Sequence, residues 1–261
     1  MKHAVFFDID GTLWDEHMRV PKSTVTAIRK LRENGDYAFI CSGRSRAAIR
    51  AKELLEDIGF DGIIGGCGTY IEYRGEVIYE SLLSQEEIGM LVETLRENGM
   101  PAILEGSEYL YADMEAFGDD PYVAYLKGML GEHFRPMQGC EGQLEANKLS
   151  ADYSHGDVEG IKRELSFKYE LIFHAEKAVE ILPKGFSKAT GIKKICEYLN
   201  ISHENTYAFG DSANDIEMLK YVKYGIAMGN ATDDAKQAAD HITSSLWQDG
   251  IWAGLEHFSL I

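Results

Sequence analysis

Short apolar segments alternate with amphipathic helical segments at both ends of this chain, and the alternation stops in the middle. Residues 4–7 are uniformly apolar and end at Asp8, which is typical of a buried parallel strand. We predict strands at 4–7, 37–41, 62–64, 206–209, 224–228 and 241–243, and helices at 24–34, 45–58, 187–199, 214–221, 233–239 and 251–257. Strand–helix–strand order at this spacing predicts right-handed crossovers and a parallel sheet covered by helices. The fold class is therefore α/β, with a Rossmann-like sheet.

The middle of the chain follows a different pattern. A hairpin of 70–73 and 77–79 ends the alternation, and Ser84 with Glu87 has the spacing of a capping box that opens a helix to about residue 98. Further helices are predicted at 121–130 and 158–167, and paired strands at 170–173 and 178–182 around Ala175-Glu176-Lys177. We predict that residues 83–183 form an inserted α+β domain, while 1–82 and 184–261 together form the α/β core.

Charge and cysteine usage restrict the partners of the protein. The 261 residues include 26 basic and 43 acidic ones, a net charge of −17, so nucleic acid and anionic membrane surfaces should repel the chain. The four cysteines are scattered without a CxxC pair, which is typical of reduced thiols in a cytoplasmic protein. Since no segment approaches the ~18 apolar residues of a membrane span, we expect no transmembrane helix.

Polar motifs follow the predicted strands of the core. Asp8-Ile9-Asp10-Gly11-Thr12 follows the first strand, Ser42-Gly43-Arg44 the second, and Gly210-Asp211-Ser212-Ala213-Asn214-Asp215 a later one, while Lys188 opens the returning helix. Ligands of open parallel sheets bind beyond the carboxyl ends of the strands, so these groups should share one rim. Four carboxylates packed together require a cation, and an all-oxygen donor set favours Mg²⁺.

These motifs resemble those of the haloacid dehalogenase superfamily of phosphohydrolases. The resemblance covers the whole core in order, through the DxDGT, Ser, Lys and GDxxND motifs. The insertion after the third strand, and tail segments such as Gly229-Asn230-Ala231, are similar to its Cof-type branch with a large α+β cap. The resemblance implies a phosphatase core and a cap that selects the substrate.

The resemblance also implies a role for each motif residue. Asp8 would be the nucleophile and Asp10 the general acid and base. Mg²⁺, or Mn²⁺ in its place, would be held by Asp8, the Asp10 carbonyl and Asp211. The remaining roles are phosphate binding by Ser42, the Gly43 amide, Lys188 and Asn214; orientation of Lys188 or of a metal-bound water by Asp215; and further contacts by Thr12 and Arg44.

The sequence thus predicts a hydrolase of small soluble phosphate esters, such as sugar phosphates or related metabolites, that works through an aspartyl-phosphate. Two alternatives stay open. A phosphomutase would use the same nucleophile but return the phosphoryl group to the substrate. A non-enzymatic phosphate-sensing module would need the strand-end Asp, Ser and Lys, but neither an acid at Asp10 nor an insertion of about 100 residues.

Overall fold

The computed structural model describes residues 2–140, 142–174 and 177–261. The strands in these ranges are β1 (Ala4–Phe7), β2 (Tyr37–Cys41), β3 (Gly62–Gly65), β4 (Tyr70–Tyr73), β5 (Glu76–Glu80), β6 (Ala102–Glu105), β7 (Leu110–Ala112), β8 (Phe134–Pro136), β9 (Lys148–Asp152), β10 (Tyr169–Phe173), β11 (Ala178–Pro183), β12 (Thr206–Gly210), β13 (Tyr224–Ala227) and β14 (His241–Ile242). The helices are α1 (Lys22–Glu33), α2 (Gln85–Glu97), α3 (Met114–Phe117), α4 (Pro121–Leu130), α5 (Val158–Leu165), α6 (Lys188–Leu199), α7 (Ile216–Tyr221), α8 (Asp233–Ala238) and α9 (Gly250–His257).

The chain divides into two compact units. The first unit comprises the residues up to Gly43, Ala51–Tyr79 and Ser187–Ile261, and the second comprises Arg44–Arg50 and Glu80–Phe186. The second unit therefore covers the predicted insertion and also a short segment that follows β2. The α/β fold class with a parallel-sheet core is confirmed.

The first unit is built on an eight-stranded sheet in the order β14-β13-β12-β1-β2-β3-β4-β5. The pairs from β14 through β3 are parallel, and β3 pairs with β4 in the antiparallel sense. β1 lies in the middle, and all four of its residues are fully buried, which explains why this strand has no polar alternation. Phe6 stacks on Phe39, and Phe7 stacks on Phe209, so aromatic packing crosses from β1 to both neighbouring strands.

The second unit contains a six-stranded sheet in the order β10-β11-β9-β6-β7-β8. Its pairs are antiparallel except for β7 with β8. A core made of apolar residues from α2, α5 and one sheet face includes Leu91, Ile161 and Leu149. A smaller cluster on α4 and the other face includes Leu126 and Ile103. This arrangement is the predicted α+β type.

Two parts of the sequence-based prediction were wrong in detail. The predicted helix at 45–58 is instead a 3₁₀ turn at Arg46–Ala48 and a π-helical segment at Glu53–Ile58. The first piece belongs to the second unit, where the N–H of Ala47 donates to the carbonyl of Gly106, and the second piece belongs to the first unit, so one helix cannot run through both. Strands β6 to β9 and helix α3 were not predicted.

The remaining sequence-based expectations concern the hairpin turn, membrane spans and cysteines. β10 and β11 pair as predicted, but Ala175 and Glu176 of the predicted turn lie outside the described residues. In the described ranges, no helix combines the length and apolar character needed to cross a membrane. All four cysteines lie in these ranges, and none of them forms a disulfide.

Candidate active site

The carboxyl ends of two neighbouring strands carry the acidic motifs. β1 and β12 are parallel, with Phe7 opposite Phe209 in the register. Asp8 follows β1 directly, and Asp211 follows β12 directly. The backbone N–H of Asp8 donates to the carbonyl of Phe209 at 3.0 Å, so the hydrogen-bonded ladder continues to the first acid. The loop that begins at Asp8, the first acidic loop, and the loop that begins at Asp211, the second acidic loop, therefore start side by side at one edge of the sheet.

Lys188 lies among these acidic residues. It is the first residue of α6, and the side chain of Ser187 caps that helix. The Nζ atom of Lys188 donates to Oδ1 of Asp8 at 2.6 Å and to Oδ1 of Asp215 at 2.6 Å. It also donates to Oδ1 of Asn214 at 3.1 Å. Lys188 is 1% exposed, Asp8 is 4% exposed and Asp215 is fully buried, so the ammonium and its two carboxylate acceptors are removed from water.

Asp215 forms hydrogen bonds both to Lys188 and to the backbone of the second acidic loop. Its Oδ2 atom accepts the backbone N–H of Asp211 at 2.9 Å and that of Ser212 at 3.0 Å. Gly210 packs against the same side chain, because a Cβ atom at Gly210 would come within 2.6 Å of Cγ of Asp215. Both oxygens of Asp215 are therefore used inside the protein, one on the ammonium and one on the loop backbone.

The electrostatics of the site show an excess of buried negative charge. Burial raises the pKa of Asp8 well above its ordinary value, the Asp215 carboxylate raises it further, and Lys188 acts in the opposite direction. Burial first, and Asp215 second, raise the pKa of Asp211 to about 7. Although burial lowers the pKa of Lys188, the carboxylates of Asp215 and Asp8 outweigh it and hold that pKa well above its usual value.

The first acidic loop packs directly on Asp211. Gly11 has φ = 82°, and a Cβ atom there would overlap the Asp211 carboxylate, so this turn requires glycine. The Oγ1 atom of Thr12 donates to Oδ1 of Asp211 at 3.1 Å. Asp10 is exposed, and its Oδ1 accepts the indole N–H of Trp14 at 2.9 Å. Thr12 and Asp211 are thus brought together, while Asp10 is held at the surface.

Ser42 and Gly43 lie at the end of β2, which pairs with β1 on the side opposite to β12. Ser42 is 1% exposed, and its backbone N–H donates to the carbonyl of Ile64 at 2.9 Å. Gly43 is buried too. Arg44, which is half-buried, begins the short segment that belongs to the second unit. The phosphate contacts of these three residues stay predictions.

Two residues of this region were not assigned a role from the sequence. Trp14 donates its indole N–H to Asp10 within a turn rather than a helix, so their four-residue spacing carries no periodic signal in the sequence. Asn230 donates from Nδ2 to the carbonyl of Gly11 at 2.8 Å. The Gly229-Asn230-Ala231 segment is part of the family resemblance, but a contact across 219 positions has no local signature in the sequence.

The carboxylates have the composition and proximity that a hard divalent cation requires. Asp8, Asp211 and Asp215 each present an oxygen within 4.8 Å of the others. All three donors are oxygens, which suits Mg²⁺, and the repulsion of the Asp215 carboxylate, which is second to burial in raising the pKa of Asp211, is an effect that a cation would offset. Since both oxygens of Asp215 are already engaged, Asp8 and Asp211 are the carboxylates with capacity for the metal.

Comparisons with known proteins agree with this site. A family model described as haloacid dehalogenase-like hydrolase matches residues 5–255. The Bacillus subtilis (strain 168) protein YkrA is 32% identical over 258 residues, covering 98% of both chains. The 5-amino-6-(5-phospho-D-ribitylamino)uracil phosphatase YitU of the same strain is 27% identical over 282 residues, covering 99% of this chain and 98% of YitU. The solved structure of the sugar phosphatase BT4131, from subclass IIB of the superfamily, has a TM-score of 0.82 at 30% identity, with full coverage of both chains.

Proposed function

The chain belongs to the haloacid dehalogenase-like hydrolases and is a phosphatase of small phosphate-bearing substrates, and we propose that it uses Mg²⁺ and an aspartyl-phosphate on Asp8 to hydrolyse sugar phosphates or related metabolites. The observation that carries the proposal is the contact of the buried Lys188 Nζ with Asp8 at 2.6 Å. An ammonium beside a carboxylate at a strand end stabilises the charge that develops on a transferring phosphoryl group.

The first chemical step is the transfer of the phosphoryl group to Asp8. A carboxylate oxygen of Asp8 forms a bond to phosphorus while the ester P–O bond breaks. The leaving oxygen takes a proton from the carboxyl group of Asp10, so that an alcohol departs. Lys188 favours the ionised form of Asp8 that this attack needs, because its positive charge opposes the upward effect of burial on the Asp8 pKa.

The second step regenerates Asp8. The Asp10 carboxylate removes a proton from water, the water oxygen forms a bond to phosphorus, and the bond between phosphorus and Asp8 breaks to release phosphate. Asp8, Asp211 and the backbone carbonyl of Asp10 would hold Mg²⁺, which would supply a positive charge that stabilises the phosphoryl oxygens. Ser42, the Gly43 amide, Lys188 and Asn214 are proposed to bind the same oxygens.

The second unit is proposed to be a cap that selects the substrate. One face of its sheet packs against α2 and α5, and alternate residues on the other face include Glu105, Lys148 and Glu180. Nζ of Lys148 lies 2.6 Å from Oε2 of Glu180 and 3.5 Å from Oε1 of Glu105, although Lys148 is only 2% exposed. Glu105, Lys148 and Glu180 form a buried ionic array on this sheet face. The array supports a recognition role, because apolar residues would stabilise the face at a lower cost in free energy.

The test is a panel of phosphorylated metabolites assayed with Mg²⁺, scored for free phosphate and for isomerised phosphate ester. Release of free phosphate with one group of sugar phosphates preferred by kcat/KM is the expected result. Isomerised ester without free phosphate would establish the phosphomutase alternative. Phosphate binding without turnover of any ester would establish the sensing alternative. The cytoplasmic location inferred from cysteine usage remains part of the proposal.

A further inference from the structure

The turn that connects β13 to α8 contacts both acidic loops of the first unit. After β13, the N–H of Met228 donates to the carbonyl of Gly210 at 3.0 Å. Four residues later, the N–H of Thr232 donates to the carbonyl of Asp211 at 2.8 Å. The backbone of this turn therefore fixes the strand end and the first residue of the second acidic loop.

Asn230, in the same turn, reaches the first acidic loop. Its Nδ2 donates to the carbonyl of Gly11 at 2.8 Å, and its Oδ1 accepts the N–H of Leu246 at 2.9 Å. Both partners are backbone atoms, so the side-chain amide links three segments that are distant in sequence. Asn230 is exposed, and its contribution to packing is accordingly small. A side chain at position 230 must donate one hydrogen bond and accept another on its opposite side, and the amide of asparagine can do both.

The carbonyl of Gly11, which accepts from Asn230, belongs to a peptide group whose orientation affects the geometry of the site. Gly11 packs on the Asp211 carboxylate, and its own N–H donates to the carbonyl of Trp14 at 2.9 Å. The indole of Trp14 in turn donates to Asp10. A rotation of the peptide group at Gly11 would therefore move Asp10 relative to Asp211.

We propose that Asn230 is a positioning residue for the phosphatase reaction: through the Gly11 carbonyl it fixes the loop that carries Asp10 relative to the loop that carries Asp211. The inference rests on the proposed function for its effect on rate, but its structural part does not depend on activity. A displacement of about 1 Å of an acid–base group reduces the rate of an oriented reaction by up to ~100-fold.

Two variants distinguish the hydrogen bond that the Asn230 amide donates from the one that it accepts. Asn230→Asp keeps an oxygen to accept from Leu246 and loses the donor to Gly11, whereas Asn230→Ala loses both. Ser245→Ala is the matched control, because it removes an exposed hydrogen bond to Gln248 on the neighbouring segment. With p-nitrophenyl phosphate we expect both Asn230 variants to lose about tenfold or more in kcat with KM changed less than about twofold. The control should behave like wild type.

Hydrogen exchange provides the readout that does not require turnover. The N–H groups of Thr12, Leu13 and Trp14 all donate to the carbonyl of Ile9, so they report directly on the closure of this loop. We expect faster exchange at these amides in Asn230→Asp and unchanged exchange in Ser245→Ala. Wild-type exchange and wild-type kcat in Asn230→Asp would overturn the inference. If wild-type protein released no phosphate from any ester, the proposed function would fail, and the exchange rates alone would decide the role of Asn230.

Discussion

At the residue scale, one buried lysine determines how the acidic residues of the site coexist. Lys188 satisfies one oxygen of Asp8 and one of Asp215, and the second oxygen of Asp215 is occupied by loop N–H groups. A buried carboxylate without such partners would be protonated or would destabilise the fold. Asp211 accepts a hydrogen bond from Thr12, and burial, followed by the repulsion of the Asp215 carboxylate, raises its pKa to about 7.

The first prediction concerns the nucleophile. Asp8→Asn keeps an oxygen to accept from Lys188 but removes the carboxylate that is proposed to attack phosphorus, so kcat should fall by about three orders of magnitude or more. The melting temperature of the metal-free protein should stay the same or rise, because burial and Asp215 disfavour the charge of Asp8. Phosphate release and thermal unfolding measure the two effects.

The exposed Asp234 offers a matched control for the loss of one negative charge. Asp234→Asn should leave both kcat and melting temperature near wild type. Retention of full activity by Asp8→Asn would exclude Asp8 as the nucleophile, whatever its effect on stability.

At the element scale, the sequence predicted the first unit better than the second, for physical reasons. β1, β2 and β12 are buried on both faces, so each is a short apolar run that is visible in the sequence. β6 is buried throughout but ends in Glu105, and β9 begins with Lys148, so buried charged residues interrupt the apolar runs by which these two strands could be recognised. The acidic motifs were predictable because they directly follow strands, whereas the contact of Asn230 with Gly11 depends on tertiary structure.

The second prediction concerns the ionic array of the second unit. Burial raises the pKa of Glu180, but Lys148 and His174 outweigh it and lower that pKa to about 2, from an ordinary 4.5. Because the folded-state pKa is lowered, Glu180 stabilises the fold above pH ~4.5, and this contribution is lost as the pH falls toward 2.

Glu180→Gln tests this directly. The variant should unfold at a lower temperature than wild type at pH 7, and the difference should shrink as the pH falls from about 5 to 2. Arg163→Gln, on the exposed part of α5, serves as the control and should follow wild type at every pH. A difference in melting temperature that is constant across this range would mean that Glu180 acts through packing rather than charge.

At the scale of the whole molecule, the third prediction is dependence on a hard divalent cation. Asp8 and Asp211 provide only oxygen donors, so EDTA should abolish activity and Mg²⁺ or Mn²⁺ should restore it. Ca²⁺ should inhibit, because its coordination shell is larger and more variable than that of Mg²⁺ and would hold the phosphoryl group less precisely for in-line transfer. Phosphate release after metal removal and readdition measures this, and full activity in rigorously metal-free protein would contradict it.

The fourth prediction concerns the division of labour between the two units. Lys188→Ala should reduce kcat/KM for all substrates alike, since the phosphoryl group is common to them. Glu105→Gln, in the second unit, should change kcat/KM by different factors for different metabolites and leave p-nitrophenyl phosphate hydrolysis nearly intact. Parallel assays of both variants on both kinds of substrate measure the effects. A decrease in kcat/KM for only some substrates in Lys188→Ala, or an equal decrease for all substrates in Glu105→Gln, would contradict this division between the units.

The strand order of the first sheet has a consequence for how the protein is made. Among the strands of this sheet β1 is synthesised before the others and gains β2 as a neighbour early, but its other neighbour, β12, begins only at Thr206. Until then one edge of an entirely apolar strand lacks its partner, and such edges promote association between chains. The segment from Glu80 to Phe186 has its own sheet and core, so it can fold during this interval. Chains terminated before Thr206 should therefore aggregate through β1, and cells that stall translation there should depend on chaperones to keep them apart.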